Sequence, residues 1–247
     1  MAKPVVPEEA RRRRRPTKNG AVLSEQLIIE TALRMLREHG SAGLTVRRLG
    51  TALGADPSTL YRYFSGMDDL TLAIGDVLVG RAFAGWKGTG DWRADLRELG
   101  LRIHAAYLGH PQAAVLTASR VSGLAHEVAA DETILGVLRS AGFADPDAVR
   151  IYQAFIDQSL AFAALDAASL ALPAAARAAD EEVWQATYAR LPATTHPHIA
   201  ATAHLLVARM NHSAYPTALD MLLDSASAQL SLGPRTSSGR AEAAGPG

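Results

Sequence analysis

The stretch ADPSTLYRYF, residues 55–64, places hydroxyl and aromatic side chains directly after an Asp-Pro pair. Asp56 is a good helix N-cap, and Pro57 suits the first helical position because its missing N–H would have no partner there. Leu60 and Phe64 are four residues apart, so they share one face of a helix. The pattern predicts a short helix that ends at Ser65 or Gly66 and is anchored by these two apolar residues. Its other faces expose hydrogen-bonding groups.

The residues before this stretch predict a second short helix, which opens at Thr45 and is broken by Gly54. Val46, Leu49 and Leu53 give it one apolar face. Two short helices joined by a glycine turn are typical of a helix-turn-helix, whose second helix enters the major groove of DNA. Hydroxyl, phenol and guanidinium groups hydrogen-bond phosphate oxygens and base edges. The alternative is a solvated helix whose tyrosines pack locally.

Two longer helices frame this pair. The first is predicted to begin at the N-cap Ser24 and to end at Gly40. The other begins near the acidic residues at 68–69, which favour the positive end of a helix, and runs to about Ala84. Residues 21–84 are therefore predicted to form one helical DNA-binding domain.

The run GLTVRRLGTALGADPSTLYRYFSGMDDL, residues 43–70, resembles the DNA-binding signature of the TetR family of bacterial transcriptional regulators. The resemblance extends over about residues 24–84. It implies an all-α fold, with an N-terminal three-helix helix-turn-helix domain and a larger C-terminal helical domain for ligand binding and dimerisation. It also implies a homodimer on operator DNA, palindromic by symmetry. A small, largely apolar effector would release this dimer, so the protein would act as a repressor.

The resemblance assigns DNA contacts to a set of polar residues in the helix pair: Thr45, Arg47, Arg48, Ser58, Thr59, Tyr61, Arg62 and Tyr63. Arg47 is expected to reach a base edge, because arginine pairs well with guanine. Ser58 and Tyr61 are expected to face bases, while Thr59 and Tyr63 are expected to bind the DNA backbone. Thr45 is expected to cap the first helix of the pair and touch a phosphate, and Arg62 to serve either role.

Charge is divided unevenly along the chain. Residues 1–70 carry 12 Lys and Arg against 8 Asp and Glu, whereas residues 71–247 carry 13 against 17. An anionic partner is therefore expected to meet the N-terminal part. Residues 1–20, with five consecutive arginines, are predicted to be a disordered basic arm that either lies along DNA phosphates or only keeps the chain soluble. Residues 233–247 are predicted to be a disordered tail.

Residues 85–232 are predicted to be the ligand-binding and dimerisation domain. Their apolar periodicity predicts helices near 92–108, 111–122, 124–141, 146–171, 180–191, 199–209 and 215–231. In the family, the last two long helices usually pair across the dimer as a four-helix bundle. The apolar residues expected to form it are Val149, Tyr152, Phe155, Ile156, Leu160, Leu219, Leu222 and Leu223.

Aromatic and polar side chains spread through this domain are candidates for a ligand pocket, because pockets combine apolar surface with a few polar groups. The candidates are Trp86, His104, Tyr107, Arg120, Phe155, Gln158 and Phe162. The alternative is that these residues belong to the core. A core filled entirely by its own side chains would favour a constitutive DNA-binding regulator with no small ligand.

Enzyme signatures are missing from the sequence, and cysteine is absent. The pair His126-Glu127 begins like a zinc-protease motif, but Ala130 stands where its second histidine belongs. A metal-dependent sensor or enzyme remains an alternative because of four histidines, but no carboxylate lies at a persuasive spacing from them: His196, His198, His204 and His212. We predict no enzyme activity and no metal or other cofactor.

The sequence also predicts a cytoplasmic protein. No apolar segment follows the run of arginines, as it would in a secretory signal. The most apolar region, 159–176, is interrupted by Asp166 and Pro173, which favours a buried helix over a membrane span.

Overall fold

The computed structural model describes residues 22–209 and 212–232. The elements formed by these residues are all helical, as predicted. The N-terminal elements are α1 (Glu25–His39), a 3-10 turn (Ser41–Gly43), α2 (Val46–Leu53), α3 (Pro57–Leu60) and α4 (Met67–Phe83). The C-terminal elements are α5 (Trp92–Leu108), α6 (Pro111–Thr117), α7 (Ala125–Ser140), α8 (Asp145–Ala171), α9 (Ala174–Val183), a π-helical turn (Trp184–Tyr188), α10 (Pro197–Arg209) and α11 (Tyr215–Leu232). The predicted arm 1–20 and tail 233–247 lie outside the described residues.

Side chains cap the first three helices, which confirms the predicted helix starts. The Ser24 hydroxyl oxygen accepts a hydrogen bond from a backbone N–H in the first turn of α1 at 3.1 Å. Thr45 does the same for α2 at 3.3 Å, and the Asp56 carboxylate does so for α3 at 2.8 Å. Gly54 has a φ of 64°, in the left-handed region that side chains disfavour, so the turn between α2 and α3 closes over a glycine.

The N-terminal helices pack around a shared apolar core. Leu60 and Phe64, the predicted anchors, are 4% and 8% exposed. They belong to the same cluster as Ile28 and Leu36 of α1 and Leu49 of α2. This burial holds α3 against its neighbours and leaves its polar side chains at the surface.

Three predicted helices have wrong limits, for local reasons: α3 and α6 end earlier than predicted, and α9 both begins and ends earlier. α3 ends at Leu60, earlier than predicted, because the next N–H groups bond to carbonyls three residues back, at 3.2 and 2.9 Å. α6 ends at Thr117, because the turn that follows is held by the Glu127 carboxylate through backbone N–H groups. α9 begins earlier than predicted, at Ala174, because its first residues are mostly alanines, which favour a helix.

α8 is the long central helix of the C-terminal elements, with 27 residues. Length and composition alone would allow it to cross a membrane, but it packs against α5, α6, α7 and α11, as the core helix of a helical domain does. Three of the residues expected to pair across a dimer are fully buried inside the chain: Phe155, Leu219 and Leu223. They form its own core and cannot also face a partner, whereas Val149 is 47% exposed.

Candidate DNA-binding surface and ligand pocket

The eight polar residues predicted to contact DNA lie together on α2, on α3 and in the turns beside them. Thr59 and Tyr63 are half-buried, and the other six of this set are exposed. Tyr61, directly after α3, exposes 55% of its surface. The helix pair thus presents hydroxyl, phenol and guanidinium groups on one continuous surface, which we call the α2–α3 surface.

The two arginines of α2 differ in their surroundings. The Arg48 guanidinium lies 3.5 Å from the Gly43 carbonyl oxygen, a long contact that turns it toward the start of its own helix. Among the described residues the Arg47 guanidinium has no hydrogen-bond or ion-pair partner, and the residue is exposed. Arg47 is therefore the better placed of the two to reach an external anion.

Tyr63 is tied to the chain that leads into α1. Its phenol donates a hydrogen bond to the Leu23 carbonyl oxygen at 2.9 Å, across 40 residues of sequence. A phenol has one proton to donate, and phosphate oxygens only accept. A hydrogen bond from Tyr63 to a DNA phosphate therefore requires this internal bond to break.

Polar side chains fasten both ends of α4 to its neighbours. At its start, the two Asp68 carboxylate oxygens accept hydrogen bonds from the Arg120 guanidinium at 2.8 and 3.0 Å. Near its end, Arg81 lies 2.5 Å from Glu30 of α1 and 2.7 Å from His110 at the start of α6. Because α4 follows the α2–α3 surface directly, these contacts link that surface to the C-terminal helices.

The middle of α4 caps another helix. The residue before α7, Leu124, cannot cap it with its side chain. Instead, Asp76 of α4 accepts hydrogen bonds from the backbone N–H groups of His126 and Glu127 at 3.0 and 2.9 Å. The carboxylate is 8% exposed, and its second oxygen lies 2.7 Å from His126 Nδ1. A movement of the N-terminus of α7 therefore acts directly on α4, because it alters these hydrogen bonds to Asp76.

A pocket opens beside these contacts, between α4, α5, α6, α7 and α8. Its cavity volume is about 60 Å³, within about 600 Å³ of space that also includes the open mouth. Its apolar wall includes Val79, Phe83, Ile103, Ile156 and Leu160. Its polar wall includes Asp76, Tyr107, Arg120, Glu127, Asp131 and Tyr152. Apolar surface with a few polar groups is the usual composition of a small-molecule site.

Two family descriptions match this chain. Residues 28–74 match the bacterial regulatory proteins of the tetR family, and residues 84–229 match the C-terminal domain described as tetracyclin repressor-like. Together these matches cover most of the described helices. The chain belongs to the TetR family. The resemblance seen in residues 43–70 is thereby confirmed, and the family matches point to regulators and not to enzymes.

This TetR-family chain has curated relatives in Saccharopolyspora erythraea and Streptomyces coeruleorubidus. It is 28% identical over 142 residues to the HTH-type transcriptional repressor DrrR1 of Streptomyces coeruleorubidus, a match that covers 55% of this chain and 51% of that protein. The chain spans about half the length of the curated relatives it matches.

Solved structures share the fold. A Streptomyces coelicolor protein described as a possible TetR family transcriptional regulator is 31% identical, with a TM-score of 0.70 over 83% of this chain and 100% of that one. The TetR family protein ActR of the same species, in complex with actinorhodin, is 20% identical, with a TM-score of 0.73 over 85% of this chain and 99% of that one. At that identity ActR shows the fold alone.

In this TetR-family chain, two of the seven described residues predicted to line a pocket do so: Tyr107 and Arg120. Phe155 is fully buried in the core. His104 stacks on Tyr215 at 4.7 Å and lies 2.8 Å from the Asp166 carboxylate. The remaining three, Trp86, Gln158 and Phe162, do not line this pocket.

The pocket also contains residues that the sequence analysis missed. Asp76 lies on α4, Glu127 and Asp131 on α7, and Tyr152 on α8. The four-residue spacing of Glu127 and Asp131 places them on one face of a helix and was the one signal available. The convergence of three helices could not be read from spacing, because the residues are far apart in the chain.

The pocket has a negative electrostatic character. Burial, with the nearby Glu127 carboxylate, raises the pKa of Tyr107 to about 12. Burial and Glu127 also raise the pKa of Asp131. Burial, together with the hydrogen bond to Asp131, raises the pKa of Tyr152. Each shift has the sign expected when burial and neighbouring carboxylates disfavour a further negative charge.

Metal binding receives no geometric support within the described part of the chain. Among residues 22–209 and 212–232, no group of three or more His, Cys, Asp or Glu side chains is arranged to hold a metal ion. His196 and His198 stand at the start of α10, where both are exposed.

Proposed function

We propose that this protein is a DNA-binding transcriptional regulator, a repressor that a small, largely apolar ligand releases from its operator. The observation that carries the proposal is that one helix, α4, both follows the α2–α3 surface and forms a wall of the pocket. The proposal divides the chain into a DNA-binding domain, residues 21–84, and a ligand-binding and dimerisation domain, residues 85–232. Membership of the TetR family and the name of the repressor DrrR1 support this function.

The proposed DNA contacts are those of the α2–α3 surface. Arg47, Ser58 and Tyr61 face base edges in the major groove, and Thr45 and Thr59 contact phosphates. Arg48 and Arg62 add positive charge at either side of this surface and strengthen binding to the DNA backbone. Tyr63 holds the end of α3 in place through Leu23.

Two copies of the chain are proposed to bind one palindromic operator. Exposed apolar side chains on α8 and α11 supply the surface between the copies, among them Val149, Leu165 and Met221. A two-fold axis there sets the two α3 helices about one DNA turn apart, and the operator repeats the same symmetry.

Release from DNA is proposed to start at two contacts on the pocket wall. Arg120 lines the pocket and binds Asp68 at the start of α4, and Asp76 lines it and caps α7. A ligand that displaces either side chain changes the position of α4 and so the separation of the two α3 helices. ActR has the same fold and has been solved in complex with actinorhodin, which supports a small-molecule ligand for this chain.

The pocket favours this ligand-responsive function over a constitutive DNA-binding regulator. A constitutive regulator needs no space among its C-terminal helices, and close packing would fill it. Here apolar side chains of α4, α5 and α8 surround an open space that contains polar groups.

DNA readout is tested by fluorescence anisotropy with the DNA that flanks the protein's own gene, at several salt concentrations. We expect Arg47→Ala to weaken binding to one sequence by about 1–3 kcal/mol, because a bidentate contact to a base is lost. Arg47→Lys is the matched control, since it keeps the charge but not the guanidinium fork. It should retain binding to random DNA while losing most of the specificity. Equal binding of all three proteins to any DNA would contradict the proposal.

A further inference from the structure

The polar wall of the pocket is acidic. Among the described residues, three carboxylates line it: Asp76, Glu127 and Asp131. The cation on the same wall is Arg120, and both of its terminal nitrogens bind Asp68, whose side chain is 73% exposed outside the pocket. The positive charge of Arg120 is thus paired with Asp68. It does not neutralise the three carboxylates of the pocket wall.

The three carboxylates differ in how their charge is stabilised. Asp76 accepts hydrogen bonds from two backbone N–H groups at the start of α7. Glu127 accepts hydrogen bonds from the backbone N–H groups of Ser122 and Gly123 at 2.6 and 2.8 Å. Fixed amide dipoles of this kind favour the charged form of a carboxylate. Both groups therefore have a structural role in holding the turn and the first residues of α7.

Asp131 lacks such support. Among the described residues it accepts a hydrogen bond from the Tyr152 phenol, a neutral donor, at 2.6 Å. Asp131 is half-buried, lies one helical turn after Glu127 and points into the same pocket. A desolvated carboxylate beside a second carboxylate is stabilised when a cation binds between the two. Asp131 is therefore the group on this wall that a positively charged ligand would stabilise most.

The rest of the wall suits an apolar body that contains a ring. The rings of Phe83, Tyr107 and Tyr152 line the space, together with aliphatic side chains of α4 and α8. Aromatic faces attract cations as well as apolar groups. The cavity volume is small, about 60 Å³, so the ligand is slender or displaces side chains as it enters.

We propose that the effector is a cationic amphiphile, a protonated amine or guanidinium on an apolar ring-bearing body, with Asp131 as its charge partner. Glu127 is the second negative group, and the aromatic rings enclose the apolar body. The inference rests on the proposed function, because it names the chemical class of the ligand to which that regulator responds. An anionic ligand would instead have to compete with Asp68 for Arg120.

Three probes of similar shape and different charge test this class: naphthylmethylamine, naphthylmethanol and naphthoic acid. Their binding to the wild-type protein is measured by calorimetry at pH 7 without DNA. We expect the amine to bind about tenfold or more tightly than the alcohol, and the acid to bind most weakly, because a partly desolvated ion pair favours the cation alone. An amine that binds no more tightly than the alcohol, or does not bind, overturns the proposal.

The variant Asp131→Asn locates the charge partner. Asparagine keeps an acceptor for the Tyr152 phenol but has no charge. We expect the variant to bind the amine about tenfold more weakly and to bind the alcohol as before. Glu132→Gln, which removes an exposed acidic group from the next position on α7, is the matched control and should change neither affinity. Equal weakening of the amine and the alcohol by Asp131→Asn overturns the assignment, and the thermal unfolding midpoint of each variant verifies its fold.

A separate measurement tests whether the ligand releases the protein from its operator. Anisotropy of the operator complex is followed as the amine is added. Selective amine binding that leaves the DNA bound supports the ligand class and contradicts release from the operator. Tight operator binding with no preference for the amine contradicts the ligand class and leaves the regulator intact.

Discussion

At the scale of single residues, two tyrosines two positions apart have different surroundings. Tyr61 is 55% exposed on the α2–α3 surface, whereas the phenol of Tyr63 donates to the Leu23 carbonyl. Both were expected to contact DNA, Tyr61 at a base and Tyr63 at the DNA backbone. The difference arises because the turns after α3 point one ring outward and the other toward the segment that leads into α1.

Removing each phenolic hydroxyl separates these roles. We expect Tyr63→Phe to lower the free energy of unfolding by about 0.5–1.5 kcal/mol, because a half-buried hydrogen bond is lost. Tyr61→Phe is the control and should change it by less than about 0.5 kcal/mol, because that ring is exposed. Urea denaturation measures both. If Tyr61→Phe proved as destabilising as Tyr63→Phe, the Leu23 contact would not have the stabilising role given to it here.

At the scale of elements, one junction joins α1, α4 and α6. Arg81 of α4 contacts Glu30 of α1 and donates a hydrogen bond to His110 Nε2, which must be unprotonated to accept it. Burial, and then the positive charge of Arg81, lower the pKa of His110 below its ordinary value of 6.5. Protonation of the ring would place two cations side by side and remove the acceptor.

This junction predicts a pH dependence. Because the pKa of His110 is lower in the folded than in the unfolded protein, the unfolded state binds more protons between the two values. Stability contributed by this group is therefore present above about pH 6.5 and lost as the pH falls below it. We expect His110→Gln, which can still accept from Arg81, to show a smaller loss of stability between about pH 7 and pH 5. Thermal melts across that range measure the slope, and an unchanged slope in the variant would rule His110 out as its cause.

At the scale of the whole molecule, some apolar residues of α8 and α11 are buried in the core and others are exposed at the surface. Phe155 and Leu223 fill the core of the chain, while Leu165 and Met221 are 66% and 67% exposed. Exposed large apolar residues on adjoining helices are typical of an interface between copies. The proposed dimer needs these exposed side chains and not the buried ones.

A charge on this surface tests the dimer. We expect Met221→Glu to weaken self-association by about 1–3 kcal/mol, because a buried apolar contact between copies becomes an unpaired charge. Analytical ultracentrifugation over a range of concentrations measures the change. Val121→Glu, at an 81% exposed position between α6 and α7, is the control and should leave self-association unchanged. A Met221→Glu protein that dimerises like wild type would place the interface elsewhere.

The sequence by itself determined the helical class, the capped helix pair and the family. The caps at Ser24, Thr45 and Asp56 could be predicted because each bond spans two or three residues, and local spacing decides such contacts. The apolar anchors Leu60 and Phe64 followed from one helical period.

Only the tertiary structure decided which polar groups meet. Asp76 and His126 are 50 residues apart, and Asp131 and Tyr152 are 21 apart, yet the members of each pair are in contact. Asp76, Asp131 and Tyr152 line one pocket. Helical periodicity shows which face of a helix is apolar but not which neighbour that face meets. For the same reason it could not distinguish Phe155 in the core from Val149 at the surface of the same helix. Packing of distant helices set the pocket, its acidic character and the surface left for a partner.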